Sequence, residues 1–179
     1  LRKIAKISKV SQTAPYRHFS SKEHLLADVT KLGFENFSSK LSSSKDKKDP
    51  IENLVEIGIK YIDFGMNNQN IISLMFDYPL PKSDYPELLL SANDAFSNLQ
   101  DKVKALHKNN TSKTQLNSIS IHAFAHGLLN IIQMNERIVL GRKDSVNDLA
   151  QSSVFYKASN KAKINLRKLL KDFIKKLEF

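Results

Sequence analysis

Apolar positions recur at three- and four-residue intervals along most of the chain, and no stretch alternates apolar with polar as a half-buried strand does. The spacing predicts short helices over 2–8 and 12–18 and a longer one over 21–40. It predicts further helices over 50–68, 70–76, 85–107 and 113–137. A long basic amphipathic helix is expected between about 145 and Leu177, with a break around Ser159 and Asn160. The polar run from Ser42 to Asp49 reads as a linker, and Pro50 suits the first turn of the helix after it. Pro79, Pro81 and Pro86 punctuate the loop after Phe76. The expectation is an all-α chain of two units, 1–40 and 50–179.

Within the first unit, Leu1, Ile4, Ala5 and Val10 are spaced for a one-face helix that turns into a second. Ala5 is small enough for two helices to cross closely. Ser11 is the expected cap of the second helix, and Pro15 falls in its first turn, where a missing N–H costs little. Ser20, as N-cap, and Glu23, reaching back, are the expected capping box of the third helix, with Leu25, Val29 and Leu32 as its buried stripe.

Charge sharpens this picture. Residues 1–40 hold eight Lys/Arg against three Asp/Glu, and 161–179 hold seven against two, so the net charge of +10 sits at the two ends. A basic end beside a neutral body points to a polyanion-facing part. The chain has no cysteine, which removes disulfides and thiolate metal sites and fits a reducing cytoplasm. No apolar run reaches the ~18 residues of a membrane helix. No Gly-rich phosphate loop, nucleophile elbow, His-Glu-x-x-His or paired-carboxylate motif occurs, so the chain does not read as an enzyme.

Ile4-Ala5, Val10-Ser11, Ala14-Pro15-Tyr16-Arg17-His18-Phe19, Ser21-Lys22-Glu23 and Leu25-Leu26 together resemble the DNA-binding signature of TetR-family regulators. The resemblance implies a helix-turn-helix with Gln12 to His18 as recognition helix. It also implies a DNA-facing set of Lys9, Ser11, Gln12, Thr13, Pro15, Tyr16, His18 and Lys22. Tyr16, His18 and Lys22 match positions that contact phosphates, while Gln12 and Thr13 are placed to read base edges. The family's usual glycine is replaced by Lys9, at about 1–2 kcal/mol if the position is left-handed. The family's first helix has no counterpart in this sequence, and a segment ahead of Leu1 is expected to supply it.

Further on, Tyr61-Ile62-Asp63-Phe64, Ile71 to Phe76 and Phe124-Ala125-His126-Gly127 resemble, more loosely, the regulatory domain of a TetR subgroup named for a Trp-His-Gly motif. That resemblance implies a ligand-binding and dimerisation bundle over 50–179. Apolar residues surround the helix near 118–134, and Leu166, Leu169, Leu170, Phe173, Ile174 and Leu177 form one face of the last helix. The resemblance implies that these helices pair across a two-fold axis, through Phe124, Leu128 and Ile131 and through Leu166, Leu169, Leu170, Phe173 and Leu177 of that face. A membrane surface is the weaker reading of the basic last helix.

Tyr61, Phe64, Met75, Phe76 and Phe96, with His122 as polar anchor, are the ligand-cavity candidates; each fits an ordinary core equally well, and only the resemblance favours a cavity. His122 and His126 stand four apart, a spacing at which two imidazoles can share a metal, but no cysteine or carboxylate on that helix completes a set. No metal and no other cofactor is expected. The functional expectation is a cytoplasmic, homodimeric, ligand-responsive repressor of transcription on a palindromic double-stranded DNA operator, released by a small apolar or aromatic effector. The other reading is a helical interaction or membrane-surface protein without sequence-specific DNA binding.

Overall fold

The computed structural model describes residues 1–43, 47–107, 110–140 and 153–177, and these residues form helices without any strand. The helices are α1 (Arg2–Ile7), α2 (Ala14–His18), α3 (Lys22–Ser42), α4 (Pro50–Asn67), α5 (Gln69–Phe76), α6 (Pro86–His107), α7 (Thr111–Leu140), α8 (Val154–Ile164) and α9 (Leu166–Lys176). A 3-10 turn, Lys82–Asp84, precedes α6. The all-helical class read from apolar spacing therefore holds. Ser44 to Asp46 of the expected linker and 145–152 of the expected last segment lie outside the described residues.

Helix ends follow local chemistry, with corrections. The N-cap of α3 is Ser21, not Ser20: the Ser21 hydroxyl accepts the His24 N–H at 3.0 Å. Ser20 is taken by His24 instead, its hydroxyl lying 3.2 Å from Nδ1. Asp49 caps α4 by accepting from the Ile51 N–H at 2.9 Å, with Pro50 in the first turn as expected. At the far end of α3, the Lys60 ammonium donates to the carbonyls of Lys40 and Leu41 at 2.7 and 3.1 Å, answering acceptors that the last helical turn leaves open. The break in the last segment falls at Asn165 rather than at Ser159 and Asn160. Ser159 is buried inside α8 and donates to the Tyr156 carbonyl at 3.0 Å, so its hydroxyl is satisfied without breaking the helix.

α3 is the central pillar. Its buried stripe is Ala27, Thr30, Phe34, Phe37 and Leu41, not the expected Leu25, Val29 and Leu32; Leu32 is 54% exposed. The observed stripe keeps the three-four spacing but lies on another face, the one toward α4, α5 and α6. α3 and α6 run side by side in the same direction, held by a polar ladder. Lys31 Nζ donates to Glu87 at 2.7 Å, Ser38 Oγ to Asp94 at 2.6 Å, and Ser42 Oγ to Asn98 at 3.3 Å. Each pair is separated by 56 residues, so the rungs share one register.

α4 packs closely on its neighbours through two glycines. A Cβ at Gly65 would lie 2.3 Å from Leu129 Cδ2, and one at Gly58 would lie 2.9 Å from Leu170 Cδ2. α9 docks on α4 by burying Leu170 and Ile174 completely, flanked by Arg167 and Lys171 on Glu52 and Glu56. Leu170 is thus a core residue of its own chain, correcting its expected place at a dimer interface. α7 buries Ile121, Ala125, Leu128, Leu129 and Ile132, with Gln133 Nε2 donating to the Gly65 carbonyl at 2.9 Å.

Candidate functional site

The basic end is built around a tight turn. α1 closes with Lys9 at φ 55°, the one non-glycine with positive φ among the described residues, and the Val10 N–H reaches back to the Ala5 carbonyl at 3.0 Å. That is the left-handed helix ending normally given to glycine, so the expected strain at Lys9 is present. Ala5 is fully buried, as close crossing requires. α2 begins two residues later than expected: Thr13 occupies the N-cap position, and Gln12 and Thr13 belong to the turn ahead of it. Ser11 does not cap α2 by its side chain; its hydroxyl lies 3.2 Å from that of Thr13, and its carbonyl accepts the Ala14 N–H at 3.0 Å.

Of the expected DNA-facing set, Lys9, Ser11, Gln12, Thr13, Tyr16, His18 and Lys22 are exposed. Pro15 is buried, so it shapes α2 and offers no surface, contrary to its expected place in the set. Sequence reasoning passed over Arg2, Lys3, Lys6 and Arg17, which are exposed as well. With Lys9 and Lys22 they make six exposed cations, none in a salt bridge with any described residue. An aromatic series joins this end to the body: Phe19, which follows α2, meets His24 edge-on at 5.9 Å, and His24 stacks on Tyr85 at 6.3 Å.

The second site is a cavity of about 50 Å³ between α3, α4, α6 and α7. Tyr61, Phe76, Phe96 and His122 line it, as expected. Phe64 and Met75 do not: both are buried core, Met75 with its sulfur against Gly33. Phe34, Phe37 and Leu41 of α3 line it too and were missed, although their three-four spacing on one helix was a usable signal. The walls are aromatic and aliphatic. Phe76, Tyr61 and Phe96 hold ring centroids 5.1, 5.3 and 6.2 Å from His122.

A polar relay runs along one side. The Tyr61 hydroxyl shares a hydrogen bond of 2.6 Å with His126 Nδ1, and His126 Nε2 faces Asp77 Oδ1 at 3.6 Å. Burial, and secondarily the Asp77 carboxylate, push the Tyr61 hydroxyl far above its ordinary range, so it stays protonated. In the His126 tautomer that carries its proton on Nε2, toward Asp77, the hydroxyl donates to Nδ1; in the other tautomer it accepts from it. His122 stacks on His126 with centroids 5.8 Å apart. Burial first, and His126 second, push His122 down to about 4, so its imidazole is neutral at pH 7. Among the described residues no group of three His, Cys, Asp or Glu side chains is placed to hold a metal.

The third feature is the outer face of α7. Leu116, Ile119, Ile131 and Met134 are exposed by 62, 51, 38 and 47%, and a Cβ on Gly127 would meet nothing within 4 Å. At its edge Phe124 stacks on Phe173 of α9, with centroids 4.1 Å apart. Of the expected interface residues, Ile131 is exposed, Phe124, Leu166, Leu169, Phe173 and Leu177 are half-buried, and Leu128 is buried with Leu170. No described helix is long and apolar enough to cross a membrane.

Compared with family models, curated proteins and solved structures, the chain gives no match in any of the three.

Proposed function

We propose that the chain is a DNA-binding regulator of transcription whose body senses a small apolar or aromatic molecule, and that it acts as a repressor. The observation that carries this reading is the cluster of six exposed cations on the first 22 residues, none paired with a described carboxylate, around two short helices joined by the left-handed turn at Lys9. Cations without carboxylate partners are free to replace the counterions of a phosphate backbone. In this reading α1, its turn and α2 form a helix-turn-helix, Tyr16, His18 and Lys22 bind phosphates, and Gln12 and Thr13 read base edges. A second copy pairs through the open face of α7 and the adjoining edge of α9. The motif resemblance to TetR-family regulators supports the same assignment.

The test is fluorescence anisotropy on DNA selected from a random pool, over a range of salt. Binding should weaken steeply with salt, and Lys22→Ala should shallow that slope by about one counterion. Gln12→Ala should relax base preference more than it lowers affinity for random DNA. Equal affinity for selected and random duplexes would reject the reading in favour of a helical interaction protein. For the pairing, Ile131→Glu places charge on an exposed position and Gly127→Glu on one where a side chain meets nothing within 4 Å at its Cβ. Sedimentation of both variants as dimers would reject the assigned face.

A further inference from the structure

We propose that the cavity between α3, α4, α6 and α7 takes a neutral, single-ring aromatic bearing a hydroxyl, and that this hydroxyl hydrogen-bonds to the His122 imidazole. The inference rests on the sensing role given to the body above and names the chemistry of what is sensed.

Among the described residues lining the cavity, two carry polar side-chain atoms, Tyr61 and His122. The Tyr61 hydroxyl is already engaged by His126 at 2.6 Å. His122 makes no hydrogen bond to any described residue; its neighbours are the rings of Tyr61, Phe76, Phe96 and His126. A half-buried imidazole without a hydrogen-bond partner among the described residues can gain one from a ligand that reaches it through the cavity.

The chemistry of that ligand follows from the walls. A carboxylate ligand needs a cation, and His122 resists protonation in this setting while no described Lys or Arg lines the cavity. An ammonium ligand needs an anion, and among the described residues no carboxylate lines it either. The ligand is therefore neutral. A neutral imidazole offers a donor on one nitrogen and an acceptor on the other. A hydroxyl can meet either nitrogen, whereas a carbonyl fits only the donor. An aromatic ring matches a lining that includes the rings of Phe34, Phe37, Tyr61, Phe76 and Phe96.

Size sets the last limit. The cavity of about 50 Å³ is smaller than the ~150 Å³ void known to admit benzene. Phe76 and Phe96 line it and are half-buried, so admitting one ring requires one of these two side chains to turn aside.

The test uses phenol, toluene and benzoate with the DNA-free protein in titration calorimetry. Phenol should bind at least about tenfold more tightly than toluene, one decade being about 1.4 kcal/mol, and benzoate should bind more weakly than both. His122→Phe keeps a ring of similar size in the cavity wall and should erase the preference for phenol, while His122→Gln should retain part of it. Equal binding of phenol and toluene, tighter binding of benzoate, a phenol preference that survives His122→Phe, or no binding of any probe overturns the inference. Operator binding is measured separately, so its presence without phenol binding overturns this inference and leaves the DNA-binding role intact. Phenol binding that does not change DNA affinity upholds the cavity chemistry and removes its regulatory use.

Discussion

Acidification should destabilise this protein through His122 well before its carboxylates matter. In the unfolded chain the imidazole titrates near its ordinary 6.5, while in the fold burial, then His126, hold it at about 4. Between those values the unfolded state binds a proton that the native state refuses, so stability falls as pH falls. Taken to completion, the difference is worth about 3 kcal/mol at ~1.4 kcal/mol per decade, of which about 2 kcal/mol is expressed by pH 5. His107 moves in the same direction, through burial and then Lys113. The surface carboxylates of Glu52, Glu56 and Glu87 are held below their ordinary range by cation partners, so their contribution is lost only at lower pH. The assay is urea unfolding at pH 8, 6.5 and 5 for the wild type and for His122→Asn, which cannot titrate. The variant should lose about 2 kcal/mol less than the wild type over this range. Equal losses in the two proteins would refute the burial of a neutral imidazole at this site.

Two glycines on adjoining helices should answer alanine with opposite signs. Gly65→Ala drives a Cβ against the fully buried Leu129 and should cost about 1–3 kcal/mol in thermal unfolding, whereas Gly127→Ala meets open space and should gain up to about 1 kcal/mol of helix stability. Loss of stability in both would show that Gly127 is packed. Ser38→Ala removes the partner that Asp94 and Asn98 share and should cost about 1–3 kcal/mol by denaturant unfolding; an unchanged midpoint would mean that the ladder sets no register. Tyr61→Phe strips the 2.6 Å partner from His126 and should cost about 1–2 kcal/mol, and a neutral outcome would show that water replaces the hydroxyl.

Helix existence was legible in the sequence because apolar spacing and caps are local, and most predicted spans match the observed ones within a few residues. Faces were less legible. Val29 and Leu32 are as apolar as Phe34 and Phe37, and periodicity alone does not say which of two overlapping stripes a long helix buries; α4, α5 and α6 decided it by packing on one side. The cap of α3 shifted by one residue because two serines stood side by side and His24 engaged Ser20. The cavity was half legible for a related reason. Aromatic residues between 61 and 96 marked a rich region, but Phe64 and Met75 were absorbed by the core, and the α3 wall comes from far earlier in the chain. The unpaired state of the six cations could not be read from sequence, since it depends on where carboxylates end up in space.

On the proposed reading, the geometry of α3 constrains how a bound ring could be felt at the basic end. Phe34, Phe37 and Leu41 line the cavity, and three residues separate the start of the same helix at Lys22 from the end of α2 at His18. Sliding α3 along α6 by one turn would break every rung of the ladder at once and unseat the buried stripe of Ala27, Thr30, Phe34, Phe37 and Leu41. A tilt that keeps the rungs is cheaper, and it carries α6 along. Tyr85, just ahead of α6, then moves with His24 and Phe19, so α2 follows the pair of helices as one piece. A coupling of about 1–3 kcal/mol needs only a small tilt when two recognition elements must match one ~34–36 Å turn of DNA. The ladder thus favours rotation of α3 and α6 together over independent motion of α3, because rotation spares the contacts that sliding would spend.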